Sequence, residues 1–574
     1  MTEQRPIVML GPAEGGGTNK STTNATEAHA APVFKPGAKF WIALTPVLIL
    51  AMMVSLDSTS VSVALPLMAE DLRGSSLEAF WTGTAFLLAS AVLQAPMGAL
   101  SDIVGRMGVL LVCTFLFLIG LILAAVAQSF LLIFVGRAIQ GVGGGGIILL
   151  NDIIVTDLVP MRDRGKYFGI IGGIWALGSV TGPVIGGALA FKASWRWLFW
   201  INVPFAAIAL AAIPFCLRLS RPPGSIAPKL KEFDWFGSFL FVGAATCFLM
   251  PLTWGGVQYP WAAWQTLFPL ILGVASLVGF GFYERYVARD PIVKVELLLA
   301  NYEMGYSLWS TVINAAIVYG ALYFLPLYFQ AVQGYNPILA GVALFPATFT
   351  VAPMSILAGL IITKRGEYRW VTWIGWVIST LGLGIMILLD TGMSVQQWFF
   401  LTIIVGLGLG LLYTSLAIIN QAAAASDELV SFAISMFIFA RMLGQCLGVA
   451  ICGVVFQNSM KKELQKTATL VDKADEYSRD ASGLIPLLEG MPAGPEKTEL
   501  IQAYADALKT VWMVMCILSG VAMIGSFFIK HISLDREHKT QHGIDNKKSN
   551  NSGVENSDSS RASEKPPHTT SRAV

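Results

Sequence analysis

Charged residues are scarce in this sequence: Asp, Glu, Lys and Arg make up 13% of its 574 residues. A soluble globular chain carries about 25%, so a string of soluble domains, which the length alone would allow, is excluded. The charges present nearly cancel, 38 basic against 36 acidic, and leave no basic field for a nucleic acid partner. Histidine is rarer still. The five histidines (His29, His531, His538, His542 and His568) all lie in the polar ends, which rules out a histidine-based metal centre in the apolar body. Six cysteines, Cys113, Cys216, Cys247, Cys446, Cys452 and Cys516, stand in apolar stretches without a CxxC pair. They read as small core residues, not as a disulfide framework. A phosphate-binding loop is missing too. Between Gly11 and Ser21, the nearest approach to one, Asn19 precedes Lys20 where glycine is required. ATP-driven pumping therefore finds no support, no nucleophile–base pair suggests an enzyme, and no cofactor is expected.

What fills the chain instead is apolar. The nine apolar residue types reach 55%, with 56 glycines besides, and the mean hydropathy is +0.64. A helix needs about 20 apolar residues to cross about 30 Å of hydrocarbon. Fourteen such stretches are present: 41–65, 79–100, 108–128, 130–155, 167–190, 197–217, 234–254, 264–284, 307–330, 338–362, 370–389, 396–420, 430–457 and 510–530. The expectation is an all-α polytopic protein of the lipid bilayer with fourteen transmembrane helices. Residues 1–39 and 531–574 are polar tails without the basic–apolar–small order of a cleaved signal, and are expected to be disordered.

Positive charge orients the helices. With the N-terminus in the cytoplasm, the short inner loops hold fourteen basic residues: Arg106, Arg162, Arg164, Lys166, Arg218, Arg221, Lys229, Lys231, Arg285, Arg289, Lys294, Lys364, Arg365 and Arg369. The short outer loops hold three, Arg73, Lys192 and Arg196. Both termini are thus expected in the cytoplasm and the mixed-charge loop 459–507 outside. The sequons at Asn19, Asn24 and Asn550 fall in the tails, so no N-glycan is expected.

An internal echo points to a duplicated architecture, the usual mark of a secondary transporter. The loop after the second stretch runs from Gly98 through Asp102 to Gly105 and Arg106; the loop after the tenth runs from Gly359 through Lys364 and Arg365 to Gly366. In both, glycines seven apart flank a short basic turn. The echo divides the chain into a six-helix bundle at 40–217, a linker with helices 7 and 8 at 218–303, and a second six-helix bundle at 304–530 that includes the outer loop.

Four ionisable side chains stand well inside apolar stretches: Asp57, Arg137, Asp152 and Arg441. Each costs about 2.5–3.5 kcal/mol at mid-membrane on insertion scales and must face the protein interior. Arg137 and Asp152 share one stretch, roughly 22 Å apart along its axis, and face roughly the same way. The functional reading is a carboxylate that loads and releases a proton, with Arg137 biasing its affinity. The structural alternative is an interhelix ion pair. Gln94, Gln140, Asn151, Asn202, Asn314, Asn420, Gln421 and Gln445 read first as interhelix hydrogen-bonding residues.

Two glycine runs lie within the stretches. Gly141 to Gly146 formally matches a dinucleotide fingerprint but lacks the strand that precedes one, so close helix packing is the reading. Gly178, Gly182, Pro183, Gly186 and Gly187 form a second cluster, whose proline kinks a helix and whose glycines admit a close neighbour. Such a helix is suited to rocking against a partner.

Taken together, these stretches resemble the major facilitator superfamily, in its fourteen-span drug:proton antiporter branch, and within it the fungal multidrug and secondary-metabolite (toxin) efflux pumps. The likeness rests on Leu56-Asp57-x-Thr59 leading to Pro66, Gly98-x-Leu100-Ser101-Asp102-x-x-Gly105-Arg106, and Arg137-x-x-Gln140-Gly141. Gly178-x-x-x-Gly182-Pro183-x-x-Gly186-Gly187, Trp195-Arg196-Trp197 through Asn202-x-Pro204, and Arg441-x-x-Gly444-x-x-x-Gly448 complete it. The resemblance implies a conformational latch of Gly98, Asp102, Gly105 and Arg106, proton coupling through Arg137 with Asp57 and Asp152, and an antiporter motif in the Gly178–Gly187 cluster. The second basic turn lacks an aspartate matching Asp102, which puts a second latch in doubt.

Substrate class is read from aromatic and methionine content, 16 Trp, 33 Phe, 14 Tyr and 20 Met, which suits a large adaptable apolar cavity. Its candidates are Gln140, Trp175, Trp309, Asn314, Tyr323, Phe324, Tyr413 and Arg441. The expected function is efflux of amphipathic organic compounds such as drugs, fungicides or toxins in exchange for protons, by a monomer in the plasma membrane. The alternatives are a vacuolar basic-amino-acid or siderophore carrier of the same superfamily, or a non-transporting membrane sensor.

Overall fold

Helices account for the architecture, and among the described residues there is no β-strand. A computed structural model describes residues 36–74, 76–220, 225–255, 259–289, 291–424, 426, 429–467, 469–478 and 484–535. Most of the two expected tails, with the three sequons, lies outside the described residues. The chain opens with α1 (Ala38–Asp71), α2 (Ser76–Val92), α3 (Gln94–Val104), α4 (Arg106–Ala125), α5 (Phe130–Leu158) and α6 (Arg164–Lys192). Then follow α7 (Trp197–Trp200), α8 (Asn202–Cys216), α9 (Ile226–Glu232), α10 (Trp235–Trp254), α11 (Trp264–Tyr286) and α12 (Val295–Ala300). Next come α13 (Tyr302–Ala331), α14 (Pro337–Ala343), α15 (Phe345–Phe349), α16 (Val351–Arg365), α17 (Arg369–Met386), α18 (Val395–Ala423) and α19 (Val430–Gln465). Short α20 (Ala474–Tyr477) and α21 (Leu484–Gly490) precede α22 (Pro495–Ser526).

Twelve of these helical stretches are long and apolar enough to cross a membrane, and thirteen if the bent α2–α3 pair counts as one span. The stretch expected at 370–389 is met by α17, helical over 18 residues, about 27 Å at 1.5 Å per residue. It is not one of the twelve. It begins on Arg369 and buries the hydroxyls of Thr372 and Ser379 completely.

Local chemistry sets many of the boundaries. Side chains of Ser129, Asn301 and Asn336 accept from backbone N–H groups in the first turns of α5, α13 and α14, and Ser394 and Gln397 form a capping box on α18. Proline decides where spans break, because it leaves the carbonyl four residues earlier unbonded. The α2–α3 pair breaks at Leu93, bending by 49°, ahead of Pro96. The α7–α8 break at Ile201 precedes Pro204, and the α15–α16 break at Thr350 precedes Pro353. Pro183, by contrast, sits inside an uninterrupted α6.

The packing repeats along the chain. α1 lies against α6 and α8, α4 against α5 and α8, and α2 against α5. In the same order α13 lies against α19 and α22, α17 against α18 and α22, and α16 against α18. The two sets meet where α6 packs on α16 and α3 on α19. α10 and α11 pair with each other, and α10 touches α2 and α19. α11 buries only 17% of its apolar window, so it lies at the periphery.

The loop expected at 459–507 is largely helical. α19 continues to Gln465 and α22 starts at Pro495, and Lys461 pairs with Asp475 and Lys473 with Glu496 in this region. Leu470, Ala474 and Leu488 bury themselves against this extension.

Candidate translocation site

Four segments converge on Arg137 of α5. Its Nη1 donates to Asp57 Oδ2 of α1 at 2.7 Å and to Gln140 Oε1 at 2.8 Å. Its Nε donates to the Thr82 carbonyl of α2 at 3.0 Å, and its guanidinium lies 4.5 Å from the Phe86 ring and 5.9 Å from that of Phe199. Arg137 is 1% and Asp57 0% exposed. Taking both charges out of water costs several kcal/mol each, roughly, and only close pairing with further hydrogen bonds offsets it. That offset is incomplete: Asp57 Oδ1 and Gln140 Nε2 are buried without a hydrogen bond among the described residues. Gln140 therefore belongs to this sealed site.

The glycines of α6 hold α1 in this place. A Cβ at Gly178 would come within 2.6 Å of Ser55 Oγ, one at Gly182 would overlap the Thr59 hydroxyl, and one at Gly186 would sit 2.8 Å from the Ser60 carbonyl. These residues flank Asp57 on both sides, so the close approach fixes the rotation of α1 that aims Asp57 at Arg137. The Gly141–Gly146 run packs likewise, on Phe86 and Ser90 of α2 and Cys113 of α4. The rocking surface expected of the Gly178–Gly187 cluster is thus an internal seam of the first set. Between the sets, Gly165 and Gly169 of α6 meet Gly359 and Ile356 of α16, and Gly98 of α3 meets Ser435 of α19.

A second ionic centre lies where α3 of the first set packs on α19 of the second. Arg106 donates to Asp102, to Asp157 Oδ2 at 3.0 Å, to Ser101 Oγ at 2.8 Å and to Ser431 Oγ at 2.7 Å. It ties α3, α4 and the end of α5 to the start of α19. Gly105 stands at φ 98°, a left-handed conformation that a side chain would strain, and it lets the chain turn from α3 into α4. A Cβ on Gly98 would overlap Ser435 of α19. Nearby, Arg164 donates to the carbonyls of Thr156 and Val159 and reaches Gln421 of α18.

A third cluster spans the two sets. Asp152 of α5 lies in the field of Arg441 of α19. Arg441 donates from Nη1 to the Tyr413 hydroxyl at 2.8 Å, and Tyr413 and Phe437 stack on its guanidinium at 4.2 and 4.8 Å. Tyr319 of α13 lies within electrostatic reach of Arg441, Tyr413 and Tyr323. Tyr323 is 48% exposed.

This helix order and its repeated packing belong to a known architecture. A family model described as Major Facilitator Superfamily matches residues 47–449. The chain belongs to that superfamily. Among similar proteins, "MFS transporter L2" of Phoma sp. is 46% identical over 548 residues, 95% of this chain and 91% of the relative. "Efflux pump FUS6" of Gibberella fujikuroi is 36% identical over 527 residues, 91% of this chain and 94% of the relative. Among solved structures, the MFS proton:xylose symporter XylE superposes with a TM-score of 0.52 at 12% identity, covering 86% of this chain and 96% of that one. At that identity the likeness speaks for the fold. The protein is a multi-pass membrane transporter of the superfamily.

Within this facilitator the remaining expected cavity residues scatter. Trp309 packs on Tyr306 and Gly525 at the α13–α22 seam, and Phe324 stacks on Phe456 inside the second set; neither is placed beside the Arg441 cluster. Asn314 is buried on α13, with no hydrogen bond from its Nδ2 among the described residues. Trp175 is partly accessible, and its carbonyl accepts from Ser55 and Ser179. Arg137 and Asp152, expected to face alike, occupy different surroundings, one sealed with Asp57 and the other partly accessible before Arg441. Asp157, Ser431, Arg164 and Tyr319 are additions from the structure. Asp157 and Arg164 sit at stretch ends, where charge reads as loop, and Ser431 carries no signal of its own.

Proposed function

We propose that this transporter exports amphipathic organic compounds, secondary-metabolite toxins or drugs, in exchange for protons. The observation that carries the reading is the sealed Asp57–Arg137 pair with one carboxylate oxygen left open. Asp57 Oδ1 is the atom that takes the proton. Protonation cancels the charge that Arg137 was paired with, in surroundings too dry to supply another, and so favours the alternate packing of α1 and α5. The naming of the Gibberella fujikuroi relative as an efflux pump supports the outward direction.

In this reading the chain crosses the plasma membrane fourteen times as a monomer, with α17 as one span and both termini in the cytoplasm. Residues 40–217 and 304–530 act as two bundles and 218–303 as an inserted pair. The Arg106 centre then faces the cytoplasm and latches the inner side shut. One proton crossing 100 mV supplies about 2.3 kcal/mol, enough for roughly fifty-fold accumulation.

Everted membrane vesicles test the reading. Loading with a fluorescent amphipathic dye is expected to follow an imposed pH gradient and to stop with a protonophore. Asp57→Asn is expected to insert normally and lose that dependence. Gradient-driven loading by a well-inserted Asp57→Asn protein would refute the role of Asp57.

A further inference from the structure

Arg441 differs from the other arginines buried between helices. Arg137 and Arg106 each hold a carboxylate at 2.7 and 3.0 Å, and Arg164 is occupied by two carbonyls. Arg441, part-way along α19, has no carboxylate within ion-pair distance among the described residues. Its hydrogen bond there goes to the Tyr413 hydroxyl. Both faces of the guanidinium are covered by rings, Tyr413 at 4.2 Å and Phe437 at 4.8 Å, which hold the fork in position and leave its edge for a ligand. A cation within a span needs a compensating charge, and Asp152, the acid that lies in its field, belongs to the opposite set of helices. Asp152, Arg441, Tyr413 and Tyr319 are all partly accessible, and Tyr323 is half exposed, so none of the five is sealed in the way Asp57 and Arg137 are.

We infer that Arg441 is the docking point for an acidic head group, a carboxylate in the simplest case, on an amphipathic substrate. The inference rests on the export reading and names its substrate class. The guanidinium fork matches a carboxylate bidentately, and Tyr319, Tyr323 and Tyr413 offer flat faces to an apolar or conjugated body. A cationic substrate would meet Arg441 beside one carboxylate. A neutral one would leave the arginine with the Tyr413 hydroxyl and no carboxylate at ion-pair distance among the described residues. Asp152 is the internal counter-charge: it competes with the bound anion for the field of Arg441 and helps to expel it when the two sets move. Removing the Asp152 charge therefore tightens anion binding.

Equilibrium binding to the purified full-length protein, without any gradient, compares pyrenebutyrate with pyrenebutanol, a pair alike except for the acid. The wild type is expected to favour the carboxylate by about tenfold or more, the ratio that a charge-assisted hydrogen bond carries. Arg441→Gln is expected to bring the ratio to about one, and Arg441→Lys, which keeps the charge but not the fork, to fall between. Asp152→Asn is expected to raise the ratio several-fold, a gain that a misfolded protein would not give. A wild-type ratio near one, no binding of either probe, or a preference that survives Arg441→Gln would overturn the site. Gradient-driven transport in vesicles separates the two readings. Export of pyrenebutanol with no anion preference sinks the site and keeps export. An anion preference lost in Arg441→Gln, with no gradient-driven movement of either probe, keeps the site and sinks export.

Discussion

Replacing Asp57 by alanine strips a sealed arginine of its counter-charge. Arg137 would keep the Thr82 carbonyl, the Gln140 amide oxygen and the face of Phe86, none of which carries a negative charge. Breaking a buried pair in this way costs about 3–5 kcal/mol. The upper part of that range is expected, since the bond is 2.7 Å long and neither side chain reaches water. Arg137→Met alone should cost a similar amount, by leaving Asp57 unpaired. The double variant Asp57→Ala/Arg137→Met removes both charges and fills the space with an apolar chain, so its stability should return to within about 1–2 kcal/mol of the wild type. Asp57→Asn keeps an acceptor for Arg137 Nη1 and should lose less than alanine does. Thermal unfolding midpoints of the five purified proteins, in one detergent at one pH, check the pattern. Two low singles and a recovered double give a coupling energy of about 3 kcal/mol or more. Additive losses, with the double below either single, would show that packing and not charge pairing holds this site, and would refute the reasoning. Transport should stay lost in the recovered double.

Other perturbations probe the remaining contacts. A Cβ at Gly359 would overlap the Gly165 carbonyl, a backbone atom that no rotamer change moves aside. Gly359→Ala should therefore push α16 from α6 and speed maleimide labelling of a cysteine placed at Ile356 in a cysteine-free background; unchanged labelling would contradict the contact. Arg106 serves Asp102, Asp157, Ser101 and Ser431 from three nitrogens, so Arg106→Lys, one point charge, should cut transport by about tenfold. Wild-type rates in that variant would show that charge alone suffices. Outside the spans, Arg196 and Trp195 donate to Asp71 and hold its carboxyl below the usual range. A carboxylate held low adds stability above its unfolded value of about 3.9 and loses it as pH falls through the folded one. Asp71→Asn should thus lower the unfolding midpoint at neutral pH and not in strong acid, by under about 1 kcal/mol for so exposed a pair. An equal effect at both pH values would count against this.

How much was legible depends on what each residue must satisfy. Asp57 and Arg137 declare themselves because charge within an apolar stretch demands an interior partner, but they lie 80 positions apart, and nothing in either stretch states that they meet. Arg441 could equally have faced Asp152, another acid or a ligand. The Gly178–Gly187 cluster advertises a close neighbour without saying which; the neighbour proved to be α1, while Gly165, Gly169 and Gly98 meet the other set. Trp309 and Tyr323 show why cavity residues resisted reading. Lipid and helix core are both apolar, so a membrane helix lacks the polar face that marks orientation in a soluble one, and an exposed aromatic is equally consistent with lipid, seam or cavity.

By itself, then, the sequence determined that this is a helical membrane protein, where most of its helices run, and which charges must face its interior. Each of these follows from a short stretch meeting a uniform solvent, the bilayer, with length and apolarity as the only requirements. The tertiary structure alone decided that Asp57 pairs with Arg137, that Asp157 and Ser431 complete the centre at Arg106, and that Arg441 stands between the rings of Tyr413 and Phe437. Those facts depend on how helices distant in sequence rotate and cross. That is settled by the close approach of small residues such as Gly182 and Gly359, and such approaches exist only once the helices have packed.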